Sequence, residues 1–400
     1  MSDVPDTFGG MRLIHTSDWH VGRTFHRHRT IEHLESVLTG LADLVREHDV
    51  DAVLVAGDLF DLSMPAAEHF DVLDRAFSRI RDAGAVIVAT PGNHDSASRL
   101  GFQSTWAAKA GVHVIAKWPS EPVVLHDDHG PVHLFGVPYL EPSALRVQHP
   151  RLAEQGVDVS TADGAVSWAM GQIREALHDS PARSVVLAHC FVGRTSTGDE
   201  VVDDAPKDIT VGGQSLVSAS HFDGIDYTAL GHIHSRQRIT ESVRYSGAPL
   251  YYSFKESSPH RGVWLVDLDD AGLADVTWLD LPIPRRTRTI RGELESLLAD
   301  ASLDGTEDEW IRAILTDAQR PADPMSRLQK RWPNCSTLQF EPPEHERESR
   351  TYRERVAGRR DIDVVAEFAG DVRENEPLTE LERSIVEAAL ISVAAEEAAR

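Results

Sequence analysis

A layered α/β fold with two sheets packed together is the architecture this sequence predicts, and three observations predict it. Apolar runs of strand length alternate with stretches of helical periodicity from residue 11 to about 115. Val112–Tyr139 then packs in more short strands than a singly wound sheet takes. Finally, five apolar runs each stop at a short polar cluster, and the polar ends of buried strands are where open α/β sheets gather their sites.

The elements follow in order. Met11–Thr16 reads as the first strand, and Leu34, Val37, Leu38, Leu41, Leu44 and Val45 recur at helical spacing behind it. Ala52–Ala56 is the second strand, followed by a helix carrying Phe70, Leu73, Phe77 and Ile80, and Ala85–Thr90 is the third. Val112–Ile115, Val123–Leu125 and Val132–Val137 come next, then Ser184–Ala188, Tyr227–Leu230, Arg244–Tyr252 and Gly262–Leu268. The proline-rich step at Leu281–Arg286 marks a boundary, giving a main domain over residues 11–283 and a smaller α/β cap over 284–341. In the cap the patterns are a helix at Arg291–Ala299, a strand at Glu309–Leu315, a helix at Pro324–Trp332 and a strand at Ser336–Phe340. Alternating charge and Pro342-Pro343 make residues 342–360 a linker. The tail, 361–400, carries two amphipathic stripes: Val364, Val365, Phe368 and Val372, then Leu378, Leu381, Ile385, Ala388, Ala389 and Val393. They either fold back on the cap or lie in a groove of a partner.

Composition narrows the class. Hydrophobic content of 41% and charged content of 26% describe an ordinary globular chain, and 400 residues call for more than one core. No stretch approaches the ~18 uninterrupted apolar residues of a membrane span. Met1–Gly10 has two aspartates and no basic residue, unlike a signal peptide, and Cys190 and Cys335 make no disulfide framework, so the cytoplasm is expected. Forty basic against 64 acidic residues leave a net charge of −24, which argues against a passive nucleic-acid-binding module. It argues less against an enzyme whose metal ions supply the local attraction for phosphate.

The five polar clusters have the makings of such a site. Asp18 and His20 are two residues apart, so on extended backbone both side chains face the same way. Asp58 has two oxygens with which to bridge two ions, and Asn93 offers a neutral carbonyl oxygen. His232 and His234 repeat the two-residue spacing, and His189 completes the set. Oxygen and nitrogen donors without thiolate suit Mn²⁺, Mg²⁺, Fe or Zn²⁺, and the imidazoles favour Mn²⁺ over Mg²⁺. Such paired ions lie roughly 3.5–4 Å apart and clamp the attacking and leaving oxygens. His94, beside Asn93 and with Asp95 to orient it, is the candidate proton donor to the leaving group. Each motif alone is commonly turn chemistry; the order and the strand-end placement give the set its weight. His15, His26, His28, His33, His113 and His133 read as surface or satisfied core residues, with substrate contact the second reading for His26 and His28, just after the first motif.

Thr16–Arg23, Ala56–Asp61, Pro91–Asp95 and Gly231–His234 together resemble the calcineurin-like metallophosphoesterases. Within these, Trp19 between Asp18 and His20, Tyr245–Pro249 and Arg261–Val263 resemble the SbcD family of nuclease subunits. The resemblance covers residues 11–280 well and the cap more loosely. It implies a four-layer fold with two central sheets, Mn²⁺-dependent exonuclease and endonuclease action on DNA, and a role in DNA repair, recombination and replication. It also implies a homodimer joined to an SbcC-like SMC-type ATPase. Carried over by motif, Asp18, His20, Asp58 and His234 would hold one ion, and Asp58, Asn93, His189 and His232 the other, with His94 catalytic. Eukaryotic and archaeal relatives have a histidine where this chain has Asp61, so that residue's role does not carry over. The alternative is another phosphodiesterase or phosphatase of the same fold acting on a small nucleotide, because fold alone does not assign substrate.

Overall fold

The computed structural model describes residues 9–193, 216–256, 260–343, 358–373 and 377–398. Two six-stranded sheets stack face to face within them. In the first, β1 (Met11–Thr16), β2 (Ala52–Ala56), β3 (Val86–Thr90) and β4 (Val112–Val114) run parallel, and the hairpin β11 (Gly262–Asp269) and β12 (Gly272–Asp280) adds antiparallel beside β1. The second sheet has the order β9-β10-β8-β7-β6-β5. Its strands are β5 (Val123–Asp127), β6 (Gly130–Val137), β7 (Arg183–His189), β8 (Tyr227–Gly231), β9 (Gln237–Arg238) and β10 (Val243–Tyr245).

The apolar runs are nearly continuous because both faces of the central strands are covered. Leu13, Leu54 and Val88 point inward to meet Leu134, Val185, Leu187 and Ala229 of the other sheet. Ile14, Val53 and Val55 point outward under α1 (Ile31–Glu47) and α2 (Ala67–Asp82), which bury Leu34, Val37, Leu38, Leu41, Leu73 and Ile80. On the far side α3 (Ala162–Asp179) lays Val166, Ala169, Met170 and Ile173 on the second sheet. The layers are therefore helix, sheet, sheet, helix.

Several local expectations give way to packing. On α2 the buried stripe is Val72, Leu73, Ala76 and Ile80, whereas Phe70 is exposed and leans on Phe60. The strand expected over Arg244–Tyr252 stops at Tyr245; beyond it the Ser246 hydroxyl turns in to meet that of Ser17 at 2.9 Å. The helix expected from Arg291 begins at Leu294, because Thr287–Gly292 is a strand, β13, parallel to β14 (Trp310–Leu315). Only Ile290 of β13 is buried, so no alternation shows in its sequence.

With β15 (Cys335–Phe340), α4 (Leu294–Ala299) and α5 (Pro324–Arg331), these strands close the cap around Ile290, Ile311, Leu328 and Trp332. The cap does not stand apart: residues 1–316 and 320–340 form one compact unit, and 317–319 with 341–400 form another. Phe25 stacks on Trp310 at 5.0 Å, with Tyr251 and Phe254 around them. His28 lies 4.7 Å from the Trp310 ring and His26 5.0 Å from that of Phe254, so both line this junction. His15 is a satisfied core residue, 2.9 Å from the Tyr227 hydroxyl, and burial pushes its pKa down to about 3.

Of the expected linker, residues 344–357 lie outside the described residues. In the second unit α6 (Asp361–Val372) and α7 (Glu380–Ala398) are tied by Arg373 to Glu382 at 2.9 Å and Arg383 to Asp363 at 3.7 Å. Phe368, Val372, Leu381, Ile385, Ile391 and Val393 are exposed on them. Among the described residues no helix is long and apolar enough to cross a membrane.

Candidate metal centre

The five clusters sit at the C-terminal ends of β1, β2 and β3 in one sheet and of β7 and β8 in the other, so the site straddles two sheets instead of edging one. The extended geometry expected of Asp18 and His20 is not what brings them together. Both are left-handed, with φ of 54° and 44°, pinned by Asp18 N–H to Gly57 O at 3.0 Å and His20 N–H to Asp58 O at 2.9 Å. Trp19 between them turns the opposite way, fully buried, its indole N–H on Thr16 Oγ1 at 3.0 Å. Asp58 and His232 are also left-handed, at 51° and 106°.

Glycine precedes these ligand candidates for steric reasons. A Cβ on Gly57, itself at φ +86°, would lie 2.2 Å from the His189 ring, and one on Gly231 would lie 1.7 Å from Ala56 O. The close approach of the two sheets at the site admits no side chain there.

Two clusters result, with one carboxylate between them. His20 Nε2 and His234 Nε2 face each other at 3.0 Å, and Asp18 offers a carboxylate oxygen within reach of both. Asn93 Oδ1 lies 3.0 Å from His189 Nε2 and 3.0 Å from His232 Nδ1. Asp58 Oδ2 stands 3.6 Å from His20 Nε2 and 3.4 Å from His189 Nε2. All seven expected ligand residues thus converge.

The donor set fits a divalent cation. His189 Nδ1 donates to Ala56 O at 2.9 Å, and that leaves its Nε2 lone pair aimed at the acceptors Asn93 Oδ1 and Asp58 Oδ2. Acceptors facing acceptors need a positive charge between them. Where the only candidate is a proton, burial lowers the His189 pKa but the Asp58 carboxylate outweighs it and holds it at about 9. For Asp58, burial works upward, and the neighbouring His189 and His20 keep it well below the ordinary carboxylate range. His232 is pushed down to about 3 by burial and by His189.

Asp95 does not orient His94. Its carboxylate accepts the backbone N–H groups of Leu59 at 3.0 Å, Phe60 at 2.9 Å and Gly92 at 3.0 Å, stapling the second and third clusters together. Burial pushes its pKa up to about 6 against those three donors. The His94 ring is oriented by a peptide group, Nδ1 donating to Asp61 O at 2.8 Å, and the His94 backbone N–H donates to Asp58 Oδ1 at 2.9 Å. The ring sits 4.8 Å from that of His20.

Sequence reasoning gave no role to the residues behind these. Asp61 Oδ1 lies 3.5 Å from His20 Nδ1 and 3.1 Å from Arg23 Nη1. Glu256 meets His234 Nδ1 at 3.1 Å, and Ser17 Oγ donates to Asp18 Oδ2 at 2.5 Å. A lone glutamate after an irregular stretch gives no sequence signal, but Arg261, flagged within Arg261–Val263, is the residue that neutralises it. Beside His189 a cleft of about 400 Å³ opens between Tyr139, Arg146, Thr161 and Phe191.

A paired-ligand centre across two stacked sheets defines a class, and sequence comparison gives the same one. The calcineurin-like phosphoesterase family model matches residues 11–236, and the chain belongs to that family. Residues 284–372 match a further model, SbcD_C, described as a type 5 capsule protein repressor C-terminal domain. Over 332 residues the chain is 25% identical to SbcD of the nuclease SbcCD from Staphylococcus epidermidis, spanning 82% of this chain and 85% of that one. Two solved structures are similar at 12% identity. One, from Thermus thermophilus, has a TM-score of 0.38 and covers 67% of this chain and 99% of its own. The other, a dimetal phosphatase from Danio rerio, scores 0.39 and covers 68% and 100%.

Proposed function

We propose that the chain is a cytoplasmic two-metal DNA nuclease, cutting phosphodiester bonds at DNA ends or hairpins in repair and recombination, together with an SMC-type ATPase of the SbcC kind. The observation that carries the reading is Asp58 standing between two ligand clusters, 3.6 Å from one imidazole and 3.4 Å from another. Asp18, His20, Asp58 and His234 hold one ion, and Asp58, Asn93, His189 and His232 the other, with Mn²⁺ the metal these mixed donors favour. When bound, the pair supplies Lewis acidity to the phosphoryl group and lowers the pKa of the attacking water. The protein's own part is to hold the ligand side chains at fixed strand ends and to bring a proton to the departing oxygen through His94. Cleavage of linear DNA against bis-p-nitrophenyl phosphate, each with and without Mn²⁺, tests it. An enzyme that hydrolysed only the small diester would belong with the nucleotide phosphodiesterases instead.

Two further surfaces support assembly. Leu62, Met64, Phe102 and Trp106 are exposed on segments that Arg99 Nη1 links by donating to Ser63 O at 3.0 Å, and a second copy of the chain would cover them. The variant F102E/W106E is expected to elute as a monomer where the wild type is a dimer, with hydrolysis of the small diester retained; an unchanged dimer would move the interface elsewhere.

The exposed apolar side chains of α6 and α7 suit helix-in-groove docking to the ATPase. Deleting residues 361–400 is expected to leave Mn²⁺-dependent hydrolysis of the small diester intact and to abolish co-purification with the ATPase. Unchanged partner affinity would remove this role from the tail.

A further inference from the structure

The two ligand clusters are not equivalent behind their ligands. In one, the far nitrogen of His189 donates to a peptide carbonyl, Ala56 O, at 2.9 Å. In the other, the far nitrogen of His234 meets the Glu256 carboxylate at 3.1 Å, while the Asp61 carboxylate stands 3.5 Å from His20 Nδ1 without bonding it. A carboxylate behind an imidazole fixes its tautomer and raises its basicity more than a peptide carbonyl does.

Glu256 is held so that it cannot turn away. Its second oxygen accepts from Arg261 Nη2 at 3.0 Å and from the Tyr252 backbone N–H at 3.1 Å. Arg261 is almost wholly buried, and its Nη1 donates to the His234 carbonyl at 2.6 Å. One buried ion pair therefore grips both the ring and the backbone of His234 and adds no net charge to the site. With Nδ1–H committed to Glu256, the Nε2 lone pair points at His20, and the tautomer that could not ligate is excluded.

We infer that Glu256 is a positioning residue that sets the affinity of the Asp18–His20–His234 centre separately from that of the Asn93–His189–His232 centre, so that the two ions load with distinct affinities. This rests on the two-ion reading above. The test uses the full-length protein, stripped with chelator and titrated with Mn²⁺ by calorimetry and low-temperature electron paramagnetic resonance, as wild type and as Glu256→Gln. Glutamine keeps an acceptor for Arg261 and Tyr252 N–H, which alanine would leave unpaired, and turns an amide donor toward His234 Nδ1, so the variant removes both the charge and the acceptor behind that ring. The expected result is one ion bound as in wild type and the other weakened about 10–100-fold. At limiting Mn²⁺ the signal is then that of a single uncoupled ion, and the metal-free protein melts lower than wild type because buried Arg261 loses its charge partner, a change that by itself does not single out one ion. Two wild-type affinities, or equal weakening of both, would overturn the proposal. A wild type that never binds a pair would instead sink the two-ion reading itself.

Discussion

Alanine in place of Asp58 is expected to remove the bound ion pair and phosphodiester hydrolysis together. Its carboxylate is almost wholly buried, sits between His20 and His189, and also accepts the His94 backbone N–H at 2.9 Å. Removing it takes away the shared ligand and leaves two imidazoles facing each other's field with no anion between them. The loss of turnover should exceed the roughly 10²–10³-fold that follows removal of a single electrostatic donor. Asp58→Asn separates the roles, because it keeps an oxygen for the His94 N–H while dropping the charge. Metal content by mass spectrometry and turnover of a small diester are the measurements, and two ions per chain in Asp58→Ala would dispose of the bridging assignment.

His94→Ala is expected to show the opposite split. The ring's Nδ1–H is committed to Asp61 O at 2.8 Å, so Nε2 is the nitrogen free to take up and release a proton. Losing a positioned proton donor costs about 10²–10⁴-fold in rate, with metal content and melting temperature held. The deficit should shrink for a substrate whose leaving group is already a good one, such as p-nitrophenolate, because that oxygen needs little protonation. Loss of an ion from the variant would make His94 a ligand, a geometry within reach given its grouping with His20 and Asp58. A near-wild-type rate on DNA would end the acid role.

How much of this the sequence discloses depends on whether the physics is local. The strand-end motifs are legible because a buried parallel strand must be continuously apolar, so Asp18, Asp58, Asn93 and His232 announce where each one stops. The left-handed turns that aim Asp18 and His20 are not legible: they come from backbone bonds to Gly57 and Asp58, some forty residues away. Asp95 shows the same limit. Its place next to His94 suggests a side-chain pair, yet three peptide N–H groups from two loops claim its oxygens first. Glu256 lies in an irregular stretch, and its meaning depends on Arg261 and His234 meeting it in three dimensions. The strand at Thr287–Gly292 hides because a single residue, Ile290, is buried on it.

The left-handed backbone at Asp18, His20, Asp58 and His232 bears on how the protein meets its cofactors. Each such residue costs on the order of 1–3 kcal/mol, a cost offset by the two packed sheets and the peptide bonds that pin the loops. That support is backbone hydrogen bonding and sheet packing. A zinc finger collapses when its metal is withdrawn, because metal and fold form together. Here the hydrogen bonds from Asp18 N–H to Gly57 O and from His20 N–H to Asp58 O pin the loops through the backbone, and a chelated sample is expected to keep the far-ultraviolet spectrum of the loaded one.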